Sequence, residues 1–164
     1  MFKRFDMCCA SVHPFTSEIE SIMFFSDYER RTDDMLEYYK LYFNFMNTVG
    51  AGVFVFHGDK ADRGRENYCE RYSRLYRLGK EFGITVAVEN VSRCQSSSSA
   101  FIRDIARMLG DEFAFVLDTK QAVRAGETPF AFLDAAGKRT VHVHISDSGE
   151  LGDCLLIGKG NFRF

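Results

Sequence analysis

Four apolar runs in this sequence each stop at a side chain able to hold a metal. GVFVFHG ends at His57, ITVAVEN at Glu89, FAFVLDT at Asp118, and TVHVHISD at His144 with Asp147 just beyond. Imidazole nitrogen and carboxylate oxygen together suit Mn²⁺, Zn²⁺, Co²⁺ or Fe²⁺ better than Ca²⁺. An ion held by such a set polarises a sugar carbonyl or hydroxyl and stabilises an enediolate. A neighbouring carboxylate can then move a proton between adjacent carbons. Any one of these residues alone is more simply a helix cap or the partner of a backbone group. Four at matching positions favour the metal. His13 precedes Pro14, which holds it extended, and is expected to reach the same rim. His142 is read as facing away from His144 and as structural.

The elements that must position these groups follow from the runs themselves. Val, Ile, Phe and Ala without polar alternation indicate strands buried on both faces, as in a parallel sheet. Helical patterns separate the runs, so the repeating unit is strand then helix, and ligands bind where such strands end. A strand is expected over about residues 5–12, then a long loop with at most a helical turn. The helix that follows, about Thr32 to Val49, carries Met35, Tyr39, Tyr42, Met46 and Val49 at helical spacing, with Thr32 or Asp33 as its cap. A second helix presents Tyr68, Tyr72, Leu75, Gly79 and Phe82, and a third Phe101, Ile105, Met108 and Leu109. Two short helices precede TVHVHISD, and the glycine-punctuated tail shows no further clear element. No Gly-rich phosphate loop follows an early strand, which argues against a dinucleotide-binding sheet. Four strands donating at one end favour a barrel.

The totals set bounds on the function. The chain has 164 residues, 46% of them hydrophobic, with 17 Phe, enough for one buried core. A net charge of −2 gives no general attraction to nucleic acid or to anionic membranes, and no apolar run approaches a membrane span. The five cysteines include one adjacent pair and no CxxC, so reduced thiols and a cytoplasmic location are expected.

Taken in order, SVHPF, VFHGD, VAVEN, VLDTKQA, HVHISDS and DCLLIGKGNF resemble the xylose isomerase-like TIM barrel superfamily over nearly the whole chain. That group holds sugar-phosphate isomerases and epimerases together with apurinic endonucleases. The resemblance implies an α/β fold, a partial (β/α)8 TIM barrel of about strands 2 to 6. It would form a single domain, 1–164, lacking the family's first and last strands. It places Glu89, Asp118 and His144 on metal-ligand positions, for one divalent ion (Mn, Co, Zn or Fe). Glu89 falls also where the epimerases keep an acid/base carboxylate. His13, His57, Gln121 and Asp147 are expected near the substrate, although in the nucleases the two histidines' counterparts bind additional metals. Three departures stand out: Gln121 and Cys154 occupy places where the family usually has His, and the family's last-strand Glu, a metal ligand and the second acid/base group of the epimerases, has no counterpart. The function implied is a metal-dependent sugar or sugar-phosphate isomerase or epimerase using enediolate-type proton transfer, with a small-molecule partner and no nucleic acid or membrane. An apurinic endonuclease-like zinc phosphodiesterase and a catalytically inactive barrel remnant are the alternatives. The exposed strand edges of a partial barrel allow a homo-oligomer.

Overall fold

The computed structural model describes residues 2–15 and 17–162. Five strands, β1 (Ser11–Val12), β2 (Val53–Phe56), β3 (Thr85–Glu89), β4 (Phe115–Asp118) and β5 (Thr140–His144), form one sheet in chain order. Every pair is parallel. The crossovers carry α1 (Ser17–Ile19), α2 (Glu29–Val49), α3 (Arg65–Glu81), α4 (Ser99–Leu109), α5 (Thr119–Arg124) and α6 (Pro129–Ala136).

β1 and β5 are the two ends of this sheet. Were it flat, four spacings of roughly 4.8 Å would hold them about 19 Å apart. Yet Ser11 Oγ on β1 lies 3.1 Å from His142 Nε2 on β5. A serine and a histidine side chain meet across that span only if the sheet curls. The architecture is therefore a half-barrel with the helices outside, a partial (β/α)8 barrel.

Aromatic rings fill the layer between helices and sheet. Tyr39 and Phe43 of α2 are fully buried against Phe54 of β2, with ring centroids 5.5 and 5.3 Å away. Tyr72 of α3 is equally buried, and its hydroxyl donates to Val86 O at 2.8 Å and accepts from Ala114 N at 3.2 Å. One phenol thus satisfies backbone groups of two neighbouring strand segments. On the outside, Glu29 and Asp33 of α2 pair with Arg71 and Arg74 of α3. Among the described residues no helix is long and apolar enough to cross a membrane.

The structure corrects several local expectations. The first strand shrinks to Ser11–Val12, because Phe5 and Met7 are exposed and give the preceding residues no buried face. The stretch before α2 holds α1 and then a π-helical turn, Glu20–Phe24. α2 begins at Glu29, not near Thr32, because the Thr32 hydroxyl donates to Phe24 O of that turn at 3.0 Å instead of capping its own helix. The tail forms an antiparallel hairpin, β6 (Asp147–Gly149) with β7 (Gly152–Leu155). His142 and His144 share the inner face, their rings 5.1 Å apart, since residues two apart on a strand point the same way.

Candidate metal and substrate site

β2, β3, β4 and β5 end on the same rim of the curled sheet, Glu89 opposite Val116 and Asp118 opposite His144, so the side chains at or just past their C-termini converge. Glu89, the last residue of β3, lies at the centre and is buried. Its Oε1 is 2.7 Å from His144 Nδ1, and its Oε2 is 3.0 Å from His57 Nε2 and 3.5 Å from His13 Nε2. Asp118, the last residue of β4, brings Oδ2 to 3.7 Å from His144 Nδ1. Two groups of three donor atoms result, His13–His57–Glu89 and Glu89–Asp118–His144, each with all its atoms within 4.8 Å of one another. Both groups include Glu89.

The surrounding loops fix this arrangement. Asn90 takes both backbone groups of Asp118, accepting from its N–H at 2.6 Å and donating to its C=O at 2.9 Å. Asp118 Oδ1 accepts from Gln121 N at 2.9 Å, which caps α5, while its other oxygen faces His144. Helix cap and candidate ligand are thus one residue. His57 sits on a segment gripped from two sides. Glu20 of the π-helical turn accepts from Gly58 N at 3.2 Å, and Ser96 donates to His57 O at 3.3 Å. Gly58 has φ +85°, and a Cβ there would collide with the Tyr68 hydroxyl. Gly58→Ala is expected to cost about 1–3 kcal/mol, read as a lower denaturant midpoint at unchanged slope.

Charge follows geometry. Burial pushes the Glu89 carboxyl up, but hydrogen bonds from His13, His144 and His57 more than offset it and hold the group well below the usual carboxylate range. Hydrogen bonds to Asp118 and Glu89 push the His144 imidazolium up to about 9. Burial, with His144 as neighbour, lowers His142.

The donor set fits a divalent cation. His57 and His13 bring their Nε2 atoms within 2.7 Å of one another, with a Glu89 oxygen 3.0 Å from His57, so two imidazole nitrogens and a carboxylate oxygen converge on a space that a divalent cation could share. His57 Nδ1 is buried without a hydrogen-bond partner in the protein.

A cavity of about 420 Å³ opens above the cluster. The structure brings His13, His57, Glu89, Asp118, Gln121 and His144 together on its wall. Gln121 uses Oε1 to accept from Ser92 N at 3.0 Å, which fixes its amide beside the cavity. Asp147 is not among the lining residues. Its two oxygens accept from the backbone N–H groups of Ser148, Gly158, Gly160 and Phe162 at 2.8–3.0 Å. Burial pushes its carboxyl up, but these four bonds more than offset that and keep it ionised. A Cβ on Gly160 would run into Ser148 O and Asp147 Oδ1, so the loop closes tightly on the carboxylate. Asp147→Ala is expected to speed amide hydrogen exchange at Gly158, Gly160 and Phe162 by about tenfold or more, through local opening.

Sequence reasoning did not single out Lys120 or Ser146 as wall residues, nor Asn90 as the brace of Asp118, whereas Cys154, which the resemblance put at a site position, does line the cavity. Asn90 had a legible signal, following Glu89 directly at a strand end. Lys120 had its position two residues beyond Asp118.

Comparison with known proteins agrees with this geometry. A family profile described as xylose isomerase-like TIM barrel matches residues 1–164. No curated protein sequence matches the chain. Among solved structures, a D-tagatose 3-epimerase-like protein superimposes with a TM-score of 0.75 at 18% identity, over 99% of this chain and 65% of its own. The IOLI protein, solved with a bound zinc atom, gives 0.71 at 16% identity over 98% and 62%. D-allulose 3-epimerase from Methylomonas sp., in complex with D-allulose, gives 0.71 at 16% identity over 98% and 58%. The chain thus spans less than two thirds of each of these structures. With a profile match from end to end and a curled parallel sheet whose strand ends gather His, Glu and Asp, the chain belongs to the xylose isomerase-like TIM barrel family.

Proposed function

We propose that the protein is a divalent-metal-dependent isomerase or epimerase acting on a sugar or sugar phosphate. The observation that carries this reading is the Glu89–Asp118–His144 donor set at the strand ends, opening on a cavity of about 420 Å³, a size suited to a small polar molecule. These three residues would hold the ion. Bound there, it supplies a Lewis acid for the carbonyl or hydroxyl of the substrate. The remaining chemistry belongs to the chain. Glu89 is held deprotonated by its imidazole neighbours and is the group to take and return a proton on carbon. His57, 3.0 Å from the same carboxylate, orients Glu89 and faces the substrate; His13, with its side chain 47% exposed, stands at the mouth. Gln121 offers a fixed amide on the wall. The epimerases among the structural neighbours support this reading, and the zinc of the IOLI structure supports a metal.

One observation favours a second reading. The His13–His57–Glu89 group shares Glu89 with the first, which would suit two ions bridged by one carboxylate and a phosphodiesterase of the apurinic endonuclease type. Elemental mass spectrometry of the chain purified without chelator separates the two. About one ion of Mn, Co, Fe or Zn per chain, lost in His144→Ala, supports the isomerase. Two zinc ions, one of them lost in His57→Ala, support the phosphodiesterase. No ion at all would overturn both and leave a barrel remnant without catalysis.

A further inference from the structure

Lys120 is the one cation-bearing wall residue that the proposed chemistry does not use. It is the only Lys or Arg among the described residues that line the cavity. The next cation along α5, Arg124, is turned onto Asp153. Lys120 Nζ stands 4.0 Å from Asp118 Oδ2, at the outer limit of an ion pair, and its side chain is 26% exposed.

The simple account is that Lys120 neutralises Asp118. That account is weak, because both oxygens of Asp118 are otherwise occupied. One caps α5 through Gln121 N, and the other faces His144. It weakens further once the site is loaded. An ammonium and a divalent ion on the same carboxylate repel one another, and a flexible four-carbon stem lets the ammonium move away into the cavity. The charges on the wall point the same way. Glu89 and Asp118 contribute two negative charges and Lys120 one positive. With the histidines neutral, a divalent ion turns a net charge of minus one into plus one. A neutral sugar would leave that charge facing a confined space, whereas an anion would cancel it.

We infer that the cavity takes an anionic substrate, a polyhydroxy compound bearing a carboxylate or a phosphate, and that Lys120 is the residue that selects it. The inference rests on the metal-dependent reading above and narrows its substrate class. Carboxylate and phosphate present the same anionic oxygens to an ammonium, so the experiment must tell them apart.

The test is isothermal titration of the Mn²⁺-loaded chain with three probes, D-gluconate, D-fructose 6-phosphate and neutral D-sorbitol. Wild type is expected to bind one of the two anions about ten- to a hundredfold more tightly than sorbitol, the range of a charge-assisted hydrogen bond. Whichever anion wins identifies the group. Lys120→Met should erase that preference while sorbitol affinity and Mn²⁺ binding persist, and Lys120→Arg should keep part of it. Equal affinity for all three probes, or a preference that survives in Lys120→Met, overturns the inference. If wild type binds no Mn²⁺, the metal-dependent reading fails on its own. The same titrations on the metal-free chain then decide: a Lys120-dependent preference for an anion upholds the inference, and none overturns it.

Discussion

Glu89→Gln is expected to weaken binding of a divalent ion by more than about a hundredfold, since loss of a mere supporting residue around a metal already costs about 10–100-fold. It should also lower turnover on a responsive sugar by roughly 10²–10⁴-fold, the usual contribution of a positioned acid or base. The substitution keeps the shape of the side chain and removes its charge. That charge is what His13, His57 and His144 converge upon, at 3.5, 3.0 and 2.7 Å. No other residue of the cluster belongs to both donor groups, so no other single change reaches both. Calorimetric metal titration and circular dichroism on the same preparation check the prediction. A folded Glu89→Gln protein that binds the ion as tightly as wild type would show that the cluster is not the metal site, and would falsify the functional reading with it.

The sequence made the strand ends legible because each buried strand is a dense apolar run, and a polar residue terminating such a run has little to do except face the rim. His57, Glu89, Asp118 and His144 lie together at those strand ends. Asp147 does not, for a reason of the same kind. It too follows an apolar run, but the chain turns after His144 into the β6–β7 hairpin, and that turn carries the carboxylate into the loop of Gly158 and Gly160. Nothing local distinguishes an acid that faces a cavity from one that gathers backbone N–H groups eleven to fifteen residues on. The π-helical turn at Glu20–Phe24 was invisible for a related reason. Its support is tertiary: Glu20 accepts from Gly58 N and Thr32 donates to Phe24 O, and no periodicity encodes either contact. The curl of the sheet was legible from four strands donating at one end and from the resemblance, but one-dimensional patterns do not give the approach of Ser11 to His142.

Between about pH 6.5 and 9, metal affinity and the stability of the metal-free chain should run in opposite directions, and His144 is the reason. Hydrogen bonds to Asp118 and Glu89 push its imidazolium from an ordinary value of 6.5 up to about 9 in the folded chain. Below about 6.5 the proton is bound whether the chain is folded or not, and the contribution to stability is fully present. Above that the unfolded chain releases the proton while the folded chain keeps it, so stability falls with rising pH and the contribution is gone once pH passes about 9. An ion needs the neutral imidazole, and below about 9 it must displace that proton. Affinity should therefore climb by up to about tenfold per pH unit across the window and level off beyond it. Glu89 titrates far below this range, and His142 is lowered by burial and by His144. Scanning calorimetry of the metal-free chain and Mn²⁺ titration at matched pH values give both slopes. His144→Asn should flatten the stability slope and remove most of the binding. A metal affinity that does not change across the window would show that His144 is not a ligand, and would count against an ion on Glu89, Asp118 and His144.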